Sequence, residues 1–198
     1  ILTVINVNDP PVSYSDSITL DEDNSTVIIL NADDPDLDDL SYHIQEFPDF
    51  GSVTISSGLV TYSPQLNYFG EDSFTFYVSD GEEISNISSV TLNILPINDS
   101  PLITSNPILE GTEDELYTYQ ILALDPESDT LFYQLTSFPD GMEISASGLI
   151  TWIPTEGVVS SGTIAFVVWD TETPDPTVDV PAVQEFVIDV VSINALSK

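Results

Sequence analysis

Apolar and polar residues alternate along most of the chain, and the apolar ones do not recur at helical spacing. Phe74, Phe76 and Val78 are followed by Val90, Leu92 and Ile94, and the second half repeats the pattern with Ile164, Phe166 and Val168 and then Phe186, Ile188 and Val190. A period of two sends successive side chains to opposite faces, which predicts half-buried strands. Runs rich in Val, Ile, Thr and Tyr are broken by Pro, Gly, Asn and Asp about every 8 to 12 residues, the mark of a β-sandwich of about seven strands. No helix is predicted. Tyr62 and Trp152 follow Gly58-Leu59 and Gly148-Leu149, and each is expected to plug the space between two sheets rather than stack on a sugar. The alternation of Leu40, Tyr42 and Ile44 turns the lone His43 towards solvent, and no Ser or Cys partner motif gives it a catalytic setting.

The pattern occurs twice. Asn8-Asp9 returns as Asn98-Asp99, and Thr61 to Pro64 as Thr151 to Pro154, both after 90 residues. Glu22-Asp23 returns as Glu113-Asp114, Asp34-Pro35-Asp36 as Asp125-Pro126-Glu127, and Phe47-Pro48-Asp49 as Phe138-Pro139-Asp140, each after 91. One residue of drift over so many matches is a single loop insertion. A repeat of this length defines the architecture before any strand is assigned. Residues 1–7 align with residues 91–97, so they are expected to be the last strand or linker of a preceding copy. The expected organisation is therefore residues 8–97 and 98–194 as two domains, with 195–198 as a tail.

Composition narrows what such domains can do. The 198 residues carry 34 Asp and Glu against one Lys or Arg, Lys198, for a formal net charge of −33. With no basic side chains to neutralise phosphates, nucleic acid is excluded as a partner. Hydrophobic residues at 41% and aromatics at 10%, with a mean hydropathy of +0.12, nevertheless supply enough apolar surface for a folded chain. Folding crowds the carboxylates, and bound divalent cations would relieve their repulsion. There is no Cys, which removes disulfides, thiolate metal sites and cysteine nucleophiles. No apolar stretch approaches the roughly 18 residues that span a bilayer, and no signal peptide opens the sequence, so the segment reads as part of something longer.

The motifs resemble cadherin-like repeats. The first copy, with Glu22-Asp23, Asp34-Pro35-Asp36, FGSVT, LVTYSP, NYFGEDSFTFYVSDG and INDSP, resembles the repeats strung in tandem through giant bacterial adhesins. The second, with ALDPESDTLFYQL, FPDGMEISASGLITWIP and VVWD, resembles the dystroglycan-type cadherin-like, or Ig-like, variety. This likeness implies an all-β protein of two tandem Greek-key β-sandwich domains arranged end to end. It also implies calcium, an ion that takes six to eight oxygen ligands from carboxylates, Asn side chains and backbone carbonyls. Carried over residue by residue, the likeness assigns one ligand set to Glu22 and Asp72, with Glu71 as the alternative, Asn98, Asp99, Asp125, Glu127 and Asp170. A second set is Asn8, Asp9, Asp34, Asp36 and Asp80. Aspartates at alternate positions, as in Asp34, Asp36 and Asp38 or Asp125, Glu127 and Asp129, suit a loop curled around one ion.

Departures from the family pattern bear on the ion count. Where the animal cadherin linker has a second Asn, this chain has Pro10 and Ser100; the pattern decays to Ile193-Asn194-Ala195, and the second copy lacks a clear counterpart of Glu71-Asp72. The expected function is a calcium-rigidified extender of an extracellular or cell-surface adhesin, monomeric, with neighbouring repeats and calcium ions as partners and no enzymatic activity. The alternative is an adhesin module that binds a glycan or a surface protein through end loops such as 169–179. A glycosidase using paired carboxylates is a further reading, for which no pocket motif speaks. The sequons at Asn24, Asn86 and Asn98 are expected to be chance occurrences.

Overall fold

The computed structural model describes residues 7–171, 174 and 179–193. Residues 1–6 of the expected preceding strand, most of the 169–179 loop and the 194–198 end lie outside the described residues. The chain divides into two compact units, Ile1–Ile97 and Asn98–Lys198. Both are all-β, with no helix among the described residues.

The first unit contains β1 (Val12–Ser13), β2 (Asp16–Asp21), β3 (Thr26–Ile29), β4 (Ala32–Asp33), β5 (Ser41–Glu46), β6 (Gly51–Ser56), β7 (Leu59–Pro64), β8 (Gly70–Ser79) and β9 (Ser88–Leu95). Four strands form one sheet in the order β2-β9-β8-β5, three form the other as β3-β7-β6, and β1 pairs with β4. The pair β2–β9 is parallel, whereas the other ladders of this unit are antiparallel. Seven strands of four or more residues agree with the periodicity; the two-residue ladder β1–β4 is too short to leave a periodic trace.

The second unit repeats this plan strand for strand. It contains β10 (Leu102–Ile103), β11 (Glu110–Thr112), β12 (Tyr117–Gln120), β13 (Ala123–Leu124), β14 (Phe132–Ser137), β15 (Glu143–Ile144), β16 (Leu149–Trp152), β17 (Ser160–Trp169) and β18 (Ala182–Val191). Its sheets are β11-β18-β17-β14 and β12-β16-β15, with β10 on β13. Even the irregularities recur. Register shifts fall between Ile44 and Glu46 and, 91 residues on, between Leu135 and Ser137.

Each core is the inward half of the alternating pattern. Ile28, Val60, Tyr62, Phe74, Phe76, Val78, Val90, Leu92 and Ile94 meet between the sheets of the first unit. Tyr117, Tyr119, Ile150, Trp152, Ile164, Phe166, Val168, Phe186, Ile188 and Val190 do so in the second. Burying each such side chain contributes about 1.5–3 kcal/mol. Tyr62 and Trp152 are core residues, 0% and 3% exposed, as expected. One glycine in each unit is fixed by packing. Gly58 and Gly148 have φ of +76° and +78°, and an added Cβ would lie 3.0 Å from the Tyr42 ring or 2.8 Å from the Tyr133 ring.

Candidate functional site

Part of the expected ligand set gathers, unit by unit, in the loop after a short strand. Past β4 the first unit turns through Asp34-Pro35-Asp36-Leu37-Asp38. The Oδ1 atom of Asp34 accepts the backbone N–H of Asp36 at 2.8 Å and that of Asp38 at 3.2 Å. The Leu37 N–H reaches the Asp34 carbonyl at 3.2 Å, with Leu37 at φ +64°. A short acceptor side chain thus organises its own loop, as Asp does readily. The fold brings carboxylate oxygens of Asp34, Asp36 and Asp38 within 4.8 Å of one another. Asp34 is 8% exposed, and its Oδ2 is buried without a hydrogen-bond partner.

Asn8 and Asp9 are tied to the same loop region. The Asn8 Nδ2 donates to Asp80 Oδ2 at 3.0 Å, and the Asp9 backbone N–H donates to Asp36 Oδ2 at 2.8 Å. Asp80 Oδ1 accepts the backbone N–H groups of Glu82 and Glu83, each at 2.7 Å. The Glu83 amide, the Asn8 side chain and the Glu82 amide hold the Asp80 carboxyl below the usual carboxylate range, so it stays ionised at neutral pH.

The second unit builds the same arrangement. Asn98 Nδ2 donates to Asp170 Oδ2 at 2.9 Å, and the Asp99 N–H donates to Glu127 Oε2 at 2.9 Å. Asp125 Oδ1 accepts the Asp129 N–H at 2.8 Å, and the Ser128 N–H reaches the Asp125 carbonyl at 3.2 Å, with Ser128 at φ +67°. Asp125 Oδ2, like its counterpart in Asp34, is buried with no hydrogen-bond partner. Glu127 replaces Asp36, so one donor here carries an extra methylene.

Glu22 and Asp72 serve the first unit differently. Glu22 is 0% exposed: its N–H bonds the Leu95 carbonyl, its Oε1 accepts the Ile97 N–H at 2.9 Å, and its Oε2 is buried without a hydrogen-bond partner. The equivalent Glu113 turns its Oε1 to the Gly157 N–H instead. Asp72, implied as a ligand by the resemblance, is 7% exposed and its oxygens are occupied. Oδ1 accepts the N–H groups of Asp49 and Ser73, while Oδ2 accepts the Phe50 N–H and the Tyr62 hydroxyl. It faces inward because it shares the parity of Phe74 and Phe76, whereas Glu71 points outward. Asp72 closes the loop from β5 to β6.

One residue outside the implied ligand sets belongs with them by geometry, Asp38, and the alternate acidic spacing was its signal; Asp129, at the matching position, bonds Asp125 through its backbone N–H. His43 is exposed on β5, stacks on Tyr77 with ring centroids 5.0 Å apart and shares a hydrogen bond with the Ser41 hydroxyl. The sequon amides are occupied as well. Asn24 donates to the Glu22 carbonyl, Asn86 to Ser13 and Ser88, and Asn98 to Asp170.

Comparison with known proteins agrees with this architecture. Integrin beta-like protein C of Dictyostelium discoideum is 26% identical over 167 residues, 75% of this chain. Integrin beta-like protein E of the same organism is 28% identical over 135 residues, 64% of the chain. The chain spans only 8% and 7% of the length of these relatives. Among solved structures, repeats EC1-2 of human protocadherin-24 match 94% of this chain and all of theirs with a TM-score of 0.63 at 20% identity. Repeats EC22-24 of mouse cadherin-23 match 96% of this chain and 68% of theirs with a TM-score of 0.60 at 18% identity. At these identities the likeness establishes the fold. Residues 8–93 match the family "Bacterial Ig domain", and residues 100–189 match "Putative Ig domain". The chain is therefore two Ig-like domains in tandem, the first similar to the bacterial Ig domain family and the second to the putative Ig domain family, with the β-sandwich fold of cadherin repeats.

Proposed function

We propose that this chain is a calcium-stiffened extender segment of an extracellular or cell-surface adhesion protein. Ig-like and cadherin-like domains are as a rule structural modules of the adhesion type, not catalysts. One observation carries the calcium reading: in the acidic loops Asp34 Oδ2 and Asp125 Oδ2 are buried without a hydrogen-bond partner, and around Asp34 carboxylate oxygens of Asp36 and Asp38 lie within 4.8 Å. A buried carboxylate oxygen left unsatisfied is unfavourable, and a hard cation satisfies it. The donors are carboxylates and Asn oxygens throughout, which suits calcium and not the softer transition metals.

The first domain would hold its ion with Asp34, Asp36, Asp38, Asp80, Asn8 and Asp9. The second would use Asp125, Glu127, Asp129, Asp170, Asn98 and Asp99. Bound calcium fastens each Asn-Asp dipeptide to the domain that follows it, turning a hinge into a strut. Extracellular modules of this kind bind at about 10⁻⁴ to 10⁻³ M, a range matched to tissue fluid or seawater.

Calcium titration of the chain, read by melting temperature and small-angle scattering, tests the proposal. At about 100 times the dissociation constant one site adds ~2.7 kcal/mol of stability. Asp34→Asn and Asp125→Asn should each remove part of the calcium-dependent rise, whereas Glu185→Gln on the exposed face of β18 should not. Equal melting and scattering in EGTA and in calcium would refute the reading.

A further inference from the structure

Asp-Gly occurs twice in the chain, as Asp80-Gly81 and as Asp140-Gly141. In this dipeptide the glycine amide nitrogen can attack the carbon of the aspartate side-chain carboxyl, because no β-carbon on the glycine screens the approach. A C–N bond forms, the carboxyl gives up a hydroxyl and the nitrogen its proton, and one water departs, leaving a cyclic succinimide. Water then opens the ring at either carbonyl. One product is the original aspartate; the other is isoaspartate, in which the main chain runs through the side-chain carboxyl. Water is the sole co-reactant, and no oxidant or reductant is needed.

Room does not separate the two sites, since a Cβ added at Gly81 or Gly141 would meet nothing within 4 Å. Hydrogen bonding does. Asp80 Oδ1 accepts the Glu82 and Glu83 N–H groups, its Oδ2 accepts Asn8 Nδ2, and the Gly81 N–H donates to Ser79 Oγ at 3.1 Å. Electrophile and nucleophile are both tied down there. Asp140 and Gly141 are exposed at the two central positions of the turn that the Met142 N–H closes on the Pro139 carbonyl at 3.2 Å, with Gly141 at φ +81°. Among the described residues neither the Asp140 carboxylate nor the Gly141 N–H has a hydrogen-bond partner. The first domain has Phe50 where the second has Gly141, and the Phe50 N–H donates to Asp72 Oδ2.

We infer that Asp140-Gly141 is a modification site, where isoaspartate forms spontaneously and loosens the core of the second domain. The Asp140 carbonyl is the acceptor for the Trp152 indole N–H, on a side chain 3% exposed. Isoaspartate adds a carbon to the main chain of the turn and displaces that carbonyl, so a buried donor loses its acceptor, which is unfavourable. Met142 follows directly on the turn and packs in the same core cluster as Trp152, so the lengthened turn also disturbs the packing. The second domain therefore weakens with age at a site that the first domain lacks.

The test ages the intact chain at neutral pH in EGTA and follows isoaspartate at each position. A protease that cuts before aspartate but not before isoaspartate, with mass spectrometry of the peptides, locates the product. Methyl transfer by a protein isoaspartate methyltransferase counts it independently. Isoaspartate should build up at residue 140 at least about tenfold faster than at residue 80. In urea, where neither turn is held, the two rates should converge. Asp140→Glu, whose longer side chain would have to close a larger ring, should lose the signal at 140 while the fresh protein melts where the parent does. As the parent ages, a second Trp152 indole resonance should appear in ¹⁵N NMR in proportion to the isoaspartate at 140. The inference fails if residue 140 gains no isoaspartate, if residue 80 gains it as fast, if the difference persists in urea, or if the modified chain keeps the original Trp152 resonance. Asp140 belongs to neither calcium set, and ageing in EGTA keeps the outcome separate from that reading.

Discussion

Asp72 shows how one side chain can hold a loop. Its four hydrogen bonds join the backbone of Asp49 and Phe50 to the core phenol of Tyr62. Burial first, and then the hydrogen bond to Asp72, push the Tyr62 phenol above its ordinary value, so it remains a donor at any physiological pH. Trp152 stands at the Tyr62 position of the second domain and reaches the same loop by a shorter route, through the Asp140 carbonyl. Tyr62→Phe should keep the ring packed but deprive Asp72 of one donor, lowering unfolding free energy by about 1–2 kcal/mol in urea titration. A loss below a few tenths would mean that water replaces the phenol. The sequence made both aromatics recognisable as core residues, since each follows Val60 or Ile150 in a buried alternation after a glycine. Their polar ends were not legible, because which loop atom they meet depends on the packing of the opposite sheet. The alternation also carried the true place of Asp72. Its parity with Phe74 and Phe76 points it inward, a local signal that the family likeness overrode.

Among the elements, the shortest strands are the least legible and depend most on side chains. β1 has two residues and is fastened by Asn86, whose Oδ1 accepts the Ser13 N–H while its Nδ2 donates to the Ser13 carbonyl and the Ser88 hydroxyl. Ser13 and Ser85 Oγ both reach the Asn86 carbonyl, at 2.7 and 2.6 Å. The second domain secures its entry segment with Gln184, which donates to the Ser105 carbonyl and accepts from Tyr119. Periodicity detects long strands such as β8 and β17, ten residues each, but a two-residue ladder has no period and its clamp comes from residues more than 70 positions away. Asn86→Ala should release β1 at a loss of about 2–3 kcal/mol, each net hydrogen bond contributing about 1. Hydrogen exchange should show the Ser13 and Tyr14 amides opening while those of β8 stay protected; uniform loss of protection would mean that β1 is integral to global stability.

For the whole molecule, charge sets the balance. A net charge of −33 on 198 residues opposes compaction through self-repulsion, which salt screens over about 8 Å at physiological ionic strength. In EGTA, raising NaCl from about 0.01 to 0.5 M should raise the melting temperature. With saturating calcium the same change should raise it less or lower it if the proposed sites fill, because ions bound there would already neutralise the densest clusters and salt would weaken their binding. A salt response independent of calcium would show that the acidic loops are not where the repulsion is concentrated. At this scale the sequence was most informative, because the 90-residue repeat announced two domains. Only geometry revealed that one oxygen of Asp34 and one of Asp125 end up buried without a hydrogen bond.

The corner residue of each acidic loop has a practical use. Leu37 and Ser128 occupy the same left-handed position, yet one is a bulky aliphatic and the other a small hydroxyl, and Leu37 is 90% exposed. A position that accepts such unlike side chains is one whose shape is imposed by its neighbours. With no cysteine anywhere in the chain, Leu37→Cys and Ser128→Cys would each give a unique attachment point for a spin label or fluorophore beside its own cradle, so that filling of the two cradles could be watched separately in one molecule.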